Sequence, residues 1–340
     1  MIAVVLKEYG LNINECKVQS IGSGLINHTW KIINGNNEYI LQRINDNVFK
    51  QPQFIAENIC SIEDYLKKNN PGYLFVAPLK TIAGKEMLFI NDEGYFRFFP
   101  FIKNSHTIDV VTHPAQAFEA ARQFGAFTKM LSGFTATDLK ITLPDFHNLT
   151  MRYQQFENAL VHGNKDRIRE NPELITQLQQ HKNIADEFEK IKKDPDFKIR
   201  VTHHDTKISN VLFDANNNGL CVIDLDTVMP GYFISDVGDM LRTYLSPANE
   251  EENDFSKITI RSEYLDAIST GYLSEMNDEL SEKEKKSFIY AGKFMIYMQA
   301  LRFFTDYLND DIYYGAKYSR HNLVRAKNQL VLLEKLIAHK

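Results

Sequence analysis

The sequence predicts an α+β fold with two lobes, because the spacing of its apolar residues changes near residue 101. Before that point, short runs rich in β-branched and aromatic residues alternate with turn signals, which is typical of strands. After it, apolar residues recur mainly at helical spacing, apart from one β-rich island over residues 199–224. We therefore expect a small β-rich lobe over residues 1–101 and a larger, mainly helical lobe over residues 102–340.

The first lobe is predicted to contain strands and one helix. The strands cover residues 17–21, 28–33, 38–44, 73–81, 87–90 and 94–101. Asparagine and glycine at positions 34–37 predict a hairpin between the second and third strands. The helix covers residues 53–68 and places four apolar side chains on one face, namely Ile55, Ile59, Ile62 and Leu66.

The second lobe is predicted to be helical around a β-hairpin. The helices cover residues 115–131, 148–163 and 173–193, and further helices fill residues 235–339. Pro114 stands near the first turn of the first of these helices, where proline is tolerated. Within the island, two apolar runs flank an asparagine-rich turn at residues 216–219, which predicts the hairpin.

The composition excludes several classes of protein. The 340 residues are 44% hydrophobic and 24% charged, so the chain can bury a core without disulfide or metal support. A formal net charge of −5 gives no basic excess for nucleic acid. Three scattered cysteines predict reduced thiols. No signal peptide and no apolar run of about 20 residues is recognisable, so we expect a cytoplasmic protein without a membrane partner.

The β-rich island carries the pattern His203-x-Asp205, with Asn210 five residues later and Asp224 at the end of the next strand. Hairpin geometry brings Asp205, Asn210 and Asp224 to one end of the two strands. Three oxygen side chains favour Mg²⁺ over zinc. Phosphoryl transfer needs a carboxylate for the acceptor hydroxyl, and an amide and a second carboxylate for magnesium. The pattern therefore predicts a phosphoryl-transfer site.

A glycine-rich turn, Gly22-Ser23-Gly24, connects the first two predicted strands. Rossmann and Walker loops both lead into a helix, so this context excludes them. A glycine turn between antiparallel strands resembles the loop that covers nucleotide phosphates in kinases, and the alternative is an ordinary hairpin turn. We expect Gly22, Ser23, Gly24 and the nearby Asn27 to contact a nucleotide.

A cation for the phosphates is expected from the third strand. Arg43 lies where kinases usually carry lysine, and Glu57 in the following helix is its expected partner. Arginine keeps the charge and can bind phosphate oxygens through two N–H groups, but it is not equivalent to lysine. The alternative is that both residues are simply exposed.

Two acids stand where a helix is predicted to begin, Asp236 and Asp239. Carboxylates at this position cap free backbone N–H groups and suit the helix dipole. In kinase-like folds such an aspartate also braces the catalytic loop, so we expect this role of Asp236. His203 is expected to be a packed, hydrogen-bonded loop histidine and not the catalytic base.

These motifs together resemble the aminoglycoside phosphotransferase and choline kinase superfamily, and most of all its N-acetylhexosamine 1-kinases. The likeness runs nearly end to end. The resemblance to N-acetylhexosamine 1-kinases lies in residues 39–45, 204–207, 224–231, 302–307 and 321–325. The resemblance implies a two-lobed, protein-kinase-like fold and an enzyme that uses ATP and Mg²⁺.

The resemblance also implies roles for individual residues. Asp205 corresponds to the catalytic base, and Lys207 to a residue that can reach the transferred phosphate. Asn210 and Asp224 correspond to the magnesium ligands. Adenine would bind the backbone of the connector between the lobes, at Pro100, Phe101 and Ile102.

Three further residues are candidates for contacting substrate. Arg302 and Tyr313 are expected to recognise a sugar, with a structural salt bridge and core packing as their respective alternatives. Asp226 is expected to be a second magnesium ligand, a substrate contact or a capping residue.

The expected reaction is phosphorylation of the anomeric hydroxyl of N-acetylglucosamine or N-acetylgalactosamine. The alternative within the superfamily is a kinase for homoserine, choline or an aminoglycoside. A nucleotide-binding pseudokinase is the alternative of a different class, which the arginine at position 43 keeps open. The preferred epimer, the anomer produced and the oligomeric state are left open.

Overall fold

The computed structural model describes residues 1–21 and 27–339. Its first lobe is built on an antiparallel sheet with the strand order β1-β2-β3-β5-β4. The strands are β1 (Cys16–Ser20), β2 (His28–Asn34), β3 (Asn37–Ile44), β4 (Leu88–Ile90) and β5 (Gly94–Pro100). The predicted hairpin joins β2 and β3, where Asn34 pairs with Asn37 and Gly35 takes a positive φ of 58°.

Two helices flank this sheet. Helix α1 (Ile2–Glu8) buries Val5 and Leu6 against one face, in a small core that includes Leu41 and Phe96. The sequence analysis did not predict α1. Helix α2 (Pro52–Asn69) has the predicted apolar face, but that face packs into the main core shared with the second lobe.

One predicted strand is wrong. Residues 73–81 form no strand, and only Leu79 pairs with the sheet, through a single bridge to Phe98. The Leu79 N–H donates to the Phe98 carbonyl at 2.6 Å. The segment is rich in apolar and aromatic residues, as strands are, but this bridge is its one pairing with the described part of the sheet.

The second lobe is mainly helical. Its helices are α3 (Pro114–Met130), α4 (Leu149–His162), α5 (Lys165–Arg169), α6 (Pro172–Gln180), α7 (Lys182–Ile191), α8 (Phe233–Tyr244), α9 (Ser262–Met276), α10 (Glu282–Lys286), α11 (Phe288–Leu308) and α12 (His321–Ala338). The helix predicted over residues 173–193 is divided into α6 and α7 at His181. Helix α11 is buried along nearly all its length and packs against α4, α8 and α12.

Two short antiparallel ribbons interrupt these helices. One is the predicted hairpin, formed by β7 (Val211–Phe213) and β8 (Gly219–Val222). The other pairs β6 (Arg200–Thr202) with β9 (Met229–Gly231) and was not predicted. The segment between β6 and β7 is thereby fixed at both ends. The predicted α+β organisation with a β-rich first lobe and a helical second lobe is confirmed. Across the described residues, none of the helices is long and apolar enough to cross a bilayer.

Candidate active site

The segment between β6 and β7 is held from behind by two carboxylates of α8. Asp236 accepts the backbone N–H groups of His203 and His204, at 3.1 and 2.7 Å. Asp239 accepts the N–H of Thr206 at 2.9 Å. The expectation that Asp236 braces this loop is confirmed. The expectation that Asp239 caps its own helix is wrong, because its carboxylate binds the loop and Arg242.

His203 lies beneath the loop and is fully buried. Its Nε2 atom donates to the carbonyl of Ile223 at 3.0 Å, and its ring meets Phe124 edge-on with a centroid distance of 5.1 Å. Burial lowers the pKa of His203, although Asp205 acts in the other direction. It is therefore the packed loop histidine expected from the sequence.

Asp205 faces the cleft and is contacted by two neighbours from its own loop. Its Oδ1 atom lies 3.0 Å from Lys207 Nζ, and its Oδ2 atom accepts Asn210 Nδ2 at 3.1 Å. The Lys207 side chain is 47% exposed. Partial desolvation acts to lower its pKa, but the carboxylates of Asp205 and Asp239 raise it. A carboxylate with two donors and an open side is suited to orient and deprotonate a hydroxyl group.

Asn210 and Asp224 are brought together by a backbone contact between their strands. The N–H of Ile223 donates to the carbonyl of Asn210 at 2.8 Å. Asn210 Nδ2 also donates to the Asp205 carbonyl at 2.9 Å, so its amide nitrogen is engaged and its Oδ1 atom remains an acceptor. Asp224 follows β8 with a positive φ of 59°, and its side chain is open to the cleft. The predicted convergence of Asp205, Asn210 and Asp224 is thus observed.

The electrostatics of Asp224 fit a cation. The Asp224 residue is exposed to the cleft, but desolvation by the surrounding protein, together with the carboxylates of Asp226 and Asp205, raises its pKa to about 7. Arg97 and Lys207 act in the other direction but do not cancel the effect. An amide oxygen beside a crowded carboxylate is a donor set that suits a hard divalent cation, which also takes ligands from phosphates and water.

Asp226 makes a contact that was not expected from the sequence. It is buried and forms an ion pair with the fully buried Arg97 of β5. Its Oδ2 atom accepts Asn27 Nδ2 at 2.7 Å, and Asn27 Oδ1 accepts the N–H of Asn45 at 3.0 Å. Asp226 and Asn27 therefore connect the two lobes. The capping role of Asp226 is wrong, while its magnesium or substrate role and the nucleotide contact of Asn27 stay predictions.

The expected pair of Arg43 and Glu57 is also wrong. Both residues are described, Glu57 is exposed, and no ion pair joins them. Side chains alternate between the two faces of a strand, so Arg43 shares a face with Leu41, which packs against α1. Neighbouring positions of a strand lie on opposite faces, so the placement of Arg43 depends on the strand register to within one residue. Gln42 lies on the other face, where its Oε1 atom accepts Arg97 Nε at 3.0 Å.

Arg97 is the cation that the sequence analysis missed. It is the one charged residue within the aromatic strand Gly94–Pro100, and that interruption is the signal that could have identified it. Its partner Asp226 lies 129 positions away along the chain, and no local pattern relates the two.

The connector begins at the end of β5. The N–H of Phe101 donates to the Glu38 carbonyl at 3.1 Å, so the sheet already uses a group that was expected to bind adenine. The carbonyl of Ile102 accepts Ser105 Oγ at 2.6 Å. Pro100 has no N–H, and it pairs with Tyr39. The Phe101 N–H is therefore not available to adenine, and this part of the expectation is wrong. The expected contacts of Gly22, Ser23 and Gly24 lie outside the described residues.

A second group of residues surrounds the guanidinium of Arg302 on α11. Three aromatic rings have centroids within 6.0 Å of its Cζ atom, namely Phe146, Tyr313 and Tyr314. Among the described residues Arg302 makes no ion pair, which contradicts the salt-bridge alternative. Tyr313 is 71% exposed, so core packing is wrong for it. The result is an open, aromatic site around the Arg302 guanidinium.

Arg302 and Asp205 are linked by intervening residues. His147 lies next to Phe146, and its Nδ1 atom is 3.4 Å from Nδ1 of His204, which precedes Asp205. The charge of Arg302 is one cause of the lowered pKa of His147, after burial and His204. The aromatic site therefore lies on the same side of the second lobe as the catalytic loop.

Comparisons with known proteins agree with this architecture. A family model described as a phosphotransferase enzyme family matches residues 17–276. A microcompartment-associated aminopropanol kinase superposes with a TM-score of 0.70 at 13% identity, covering 99% of this chain and 97% of that chain. A spectinomycin phosphotransferase with ADP and spectinomycin bound superposes with a TM-score of 0.60 at 13% identity, covering 99% of this chain and 97% of that chain. A choline kinase from Cryptosporidium parvum superposes with a TM-score of 0.59 at 17% identity, covering 99% of this chain and 95% of that chain. At these identities the solved structures show the fold, and the predicted kinase-like class is confirmed.

Proposed function

This chain belongs to the phosphotransferase enzyme family, and from that premise we propose that it transfers the terminal phosphoryl group of ATP to the anomeric hydroxyl of an N-acetylhexosamine. Its general activity is that of a small-molecule phosphotransferase. The observation that supports the proposal is the arrangement of Asp205, which faces the cleft between Lys207 and Asn210.

Asp205 is the proposed general base. It orients the acceptor hydroxyl and takes its proton as the hydroxyl oxygen forms a bond to the phosphorus atom and the bond to ADP breaks. The transition state of phosphoryl transfer is loose, so the proton leaves late and positioning contributes most. Lys207 Nζ, 3.0 Å from Asp205 Oδ1, is placed to bind a non-bridging oxygen of the transferred group.

Asn210 and Asp224 are the residues that would hold Mg²⁺. The raised pKa of Asp224 and the free Oδ1 atom of Asn210 support this assignment. A bound magnesium ion would neutralise charge on the nucleotide phosphates. ATP as the donor is supported by the family and by the ADP and AMP present in the spectinomycin phosphotransferase structures.

A sugar acceptor is supported by the site around Arg302. Aromatic rings can cover the apolar face of a sugar ring, and a guanidinium donates hydrogen bonds to carbonyl and hydroxyl oxygens. The resemblance of residues 302–307 and 321–325 to N-acetylhexosamine 1-kinases leads to the same class of acceptor.

A cationic acceptor such as choline or an aminoglycoside is the second candidate, because proteins of similar fold act on such molecules. The charges near the aromatic site argue against it. Arg152 and Arg302 lie close enough that the second, after burial, lowers the pKa of the first. A cationic acceptor would add a further positive charge there. The pseudokinase alternative is disfavoured because Asp205, Asn210 and Asp224 converge.

The test is a coupled assay for ADP release with purified protein. Acceptors are N-acetylglucosamine, N-acetylgalactosamine, their free hexosamines, choline, homoserine and an aminoglycoside. We expect turnover to be highest with an N-acetylhexosamine, and none with its 1-O-methyl glycoside, whose reacting oxygen is blocked. Phosphorylation of the methyl glycoside would show that the reaction takes place at a hydroxyl other than the anomeric one. Turnover restricted to choline or the aminoglycoside would reject the sugar and retain the phosphotransferase.

The role of Arg302 is tested in the same assay. Arg302→Met should raise the KM for the sugar by about tenfold or more, since a charged hydrogen bond is lost, with little change in the KM for ATP. Arg122→Met is the matched control, because Arg122 lies on α3 and pairs with Glu119. Equal effects of the two variants on the KM for the sugar would show that Arg302 does not bind the acceptor.

A further inference from the structure

Two histidines behind the catalytic loop share one hydroxyl group. His204 Nδ1 lies 2.7 Å from Ser235 Oγ, and His147 Nδ1 is hydrogen-bonded to the same oxygen. The two Nδ1 atoms are 3.4 Å apart. Ser235 belongs to the first turn of α8 and is buried, as is His204. The proposed reaction gives none of these three side chains a role.

The shared hydroxyl restricts where the protons can be. A serine hydroxyl donates one hydrogen and accepts others. If both Nδ1 atoms carried hydrogens, both could donate to Ser235 Oγ, but the hydroxyl hydrogen would then have no acceptor among the described residues. If neither did, only one could accept the hydroxyl hydrogen, and the other would be unpaired. Both Nδ1 atoms and the hydroxyl group are paired when one ring donates to Ser235 Oγ and the hydroxyl donates to the other ring. Among the described residues, the other ring nitrogen of His204, Nε2, is buried without a hydrogen-bond partner.

Both rings are neutral in this arrangement. Burial lowers the pKa of His204 to about 4. Burial also lowers the pKa of His147 well below its usual value, and the nearby charges of Arg302, Arg242 and Arg152 act in the same direction. At neutral pH the two histidines therefore differ in tautomer and not in charge.

His204 occupies a backbone conformation that needs support. Its φ is +67°, which is uncommon for a residue with a side chain. Asp236 Oδ1 accepts its N–H at 2.7 Å, and its ring lies against Gly231, where a Cβ atom would come within 2.5 Å of the ring. Ser235 holds the ring from the remaining side. The direction in which Asp205 leaves His204 depends on these contacts.

His147 extends this arrangement to the aromatic site. Its ring stacks on Phe146 with centroids 4.3 Å apart and an interplanar angle of 17°. The ring of Phe146 lies 5.7 Å from the Arg302 guanidinium. A continuous series of contacts therefore runs from Arg302 to the residue before Asp205.

We propose that Ser235 and His147 are positioning residues that hold His204, and through it the Asp205 carboxylate, in register with the acceptor bound beside Phe146 and Arg302. This inference rests on the proposed roles of Asp205 and of the aromatic site. The side chains of Ser235 and His147 do not touch the reacting atoms. Their effect is on the orientation of the carboxylate.

Kinetics test the positioning role with the best acceptor found. Ser235→Ala and His147→Leu should lower kcat by about tenfold or more, since small misplacements of a base are costly, and leave the KM for ATP within about twofold. His147→Asn should recover most of kcat, because its amide nitrogen can replace Nδ1. His181→Leu is the control, a histidine packed on Tyr297 away from the loop. An unchanged kcat in Ser235→Ala, or equal losses in His147→Asn and His147→Leu, would overturn the proposal.

Nitrogen-15 NMR of labelled imidazoles tests the shared hydroxyl without any acceptor. We expect His147 and His204 to show opposite tautomers at pH 7.5, assigned with His147→Leu, and we expect Ser235→Ala to abolish that difference. The same tautomer in both rings of the parent protein would overturn the proposal. A parent protein that phosphorylates no acceptor would contradict the proposed function, and the tautomers would still decide whether the hydroxyl is shared.

Discussion

Arg97 of the first lobe and Asp226 of the second form a buried ion pair across the cleft. Only 1% of the Arg97 side chain and 4% of the Asp226 side chain are exposed. Both have additional polar partners, since Gln42 binds Arg97 and Asn27 binds Asp226. The pair fixes the first lobe beside Asp224, which is two residues before Asp226. It therefore links the stability of the two lobes to the geometry of the candidate metal ligand.

Removal of one partner should destabilise the whole protein. Asp226→Asn leaves Arg97 charged and buried, and such uncompensated charges cost about 3–5 kcal/mol. Arg97→Gln should cost a similar amount, and the double variant should cost less than the sum, as expected for contacting residues. Urea denaturation of the four proteins measures this coupling. Lys80→Gln is the control, because its ion pair with Glu86 is exposed and contributes at most about 1 kcal/mol. Additive losses would show that the pair does not act as a unit.

A second prediction concerns the cation expected at position 43. Arg43→Ala should leave the KM for ATP within about twofold, the range of ordinary surface substitutions, because its side chain lies on the α1 face of β3 and not in the cleft. Glu57→Ala should behave in the same way, since Glu57 is exposed. Arg97→Lys, which removes the second guanidinium nitrogen near Asp226, should impair turnover. A tenfold rise in the KM for ATP in Arg43→Ala would restore the original assignment.

Local patterns predicted the catalytic loop well. Contacts between residues far apart in the sequence could not be predicted in this way. Asp205 and Asn210 are five residues apart, and a short hairpin adds Asp224, so their convergence follows from local geometry. The role of Arg43 depended on which face of β3 meets the cleft, and alternation alone does not fix that. Helix α1 is short, and its apolar residues can equally fit a strand. His147 became visible only when the fold placed it beside His204, 57 positions later.

The proposed base leads to a third prediction. Asp205→Ala should lower kcat by about 10²-fold or more, the typical contribution of a general base. The dissociation constant for ATP should change little, because in the proposed reaction Asp205 contacts the acceptor and not the nucleotide. Steady-state kinetics and calorimetric nucleotide titration measure the two quantities. Asp278→Ala, at an exposed position after α9, is the control. Near-parental turnover in Asp205→Ala would reject Asp205 as the base.

The last prediction uses the pH dependence of stability to examine Asp224. Its folded-state pKa of about 7 lies above the usual value for an aspartate in an unfolded chain, about 3.9. The folded protein therefore holds this proton more strongly, and stability is lost as pH rises from about 4 through 7. Asp224→Asn removes the penalty. Its melting temperature should exceed that of the parent by an amount that grows between pH 4 and 7 and then levels off.

The same variant should lose its response to magnesium, since it lacks the charged ligand that the cation would neutralise. Thermal melts at pH 5, 6, 7 and 8, with and without Mg²⁺ and a non-hydrolysable ATP analogue, measure both effects. Asp278→Asn controls for removal of an exposed carboxylate and should follow the parent at every pH. A melting-temperature difference that is constant across this range would mean that the folded protein does not raise the pKa of Asp224. Stabilisation by Mg²⁺ that is equal in the parent and in Asp224→Asn would exclude Asp224 as a ligand.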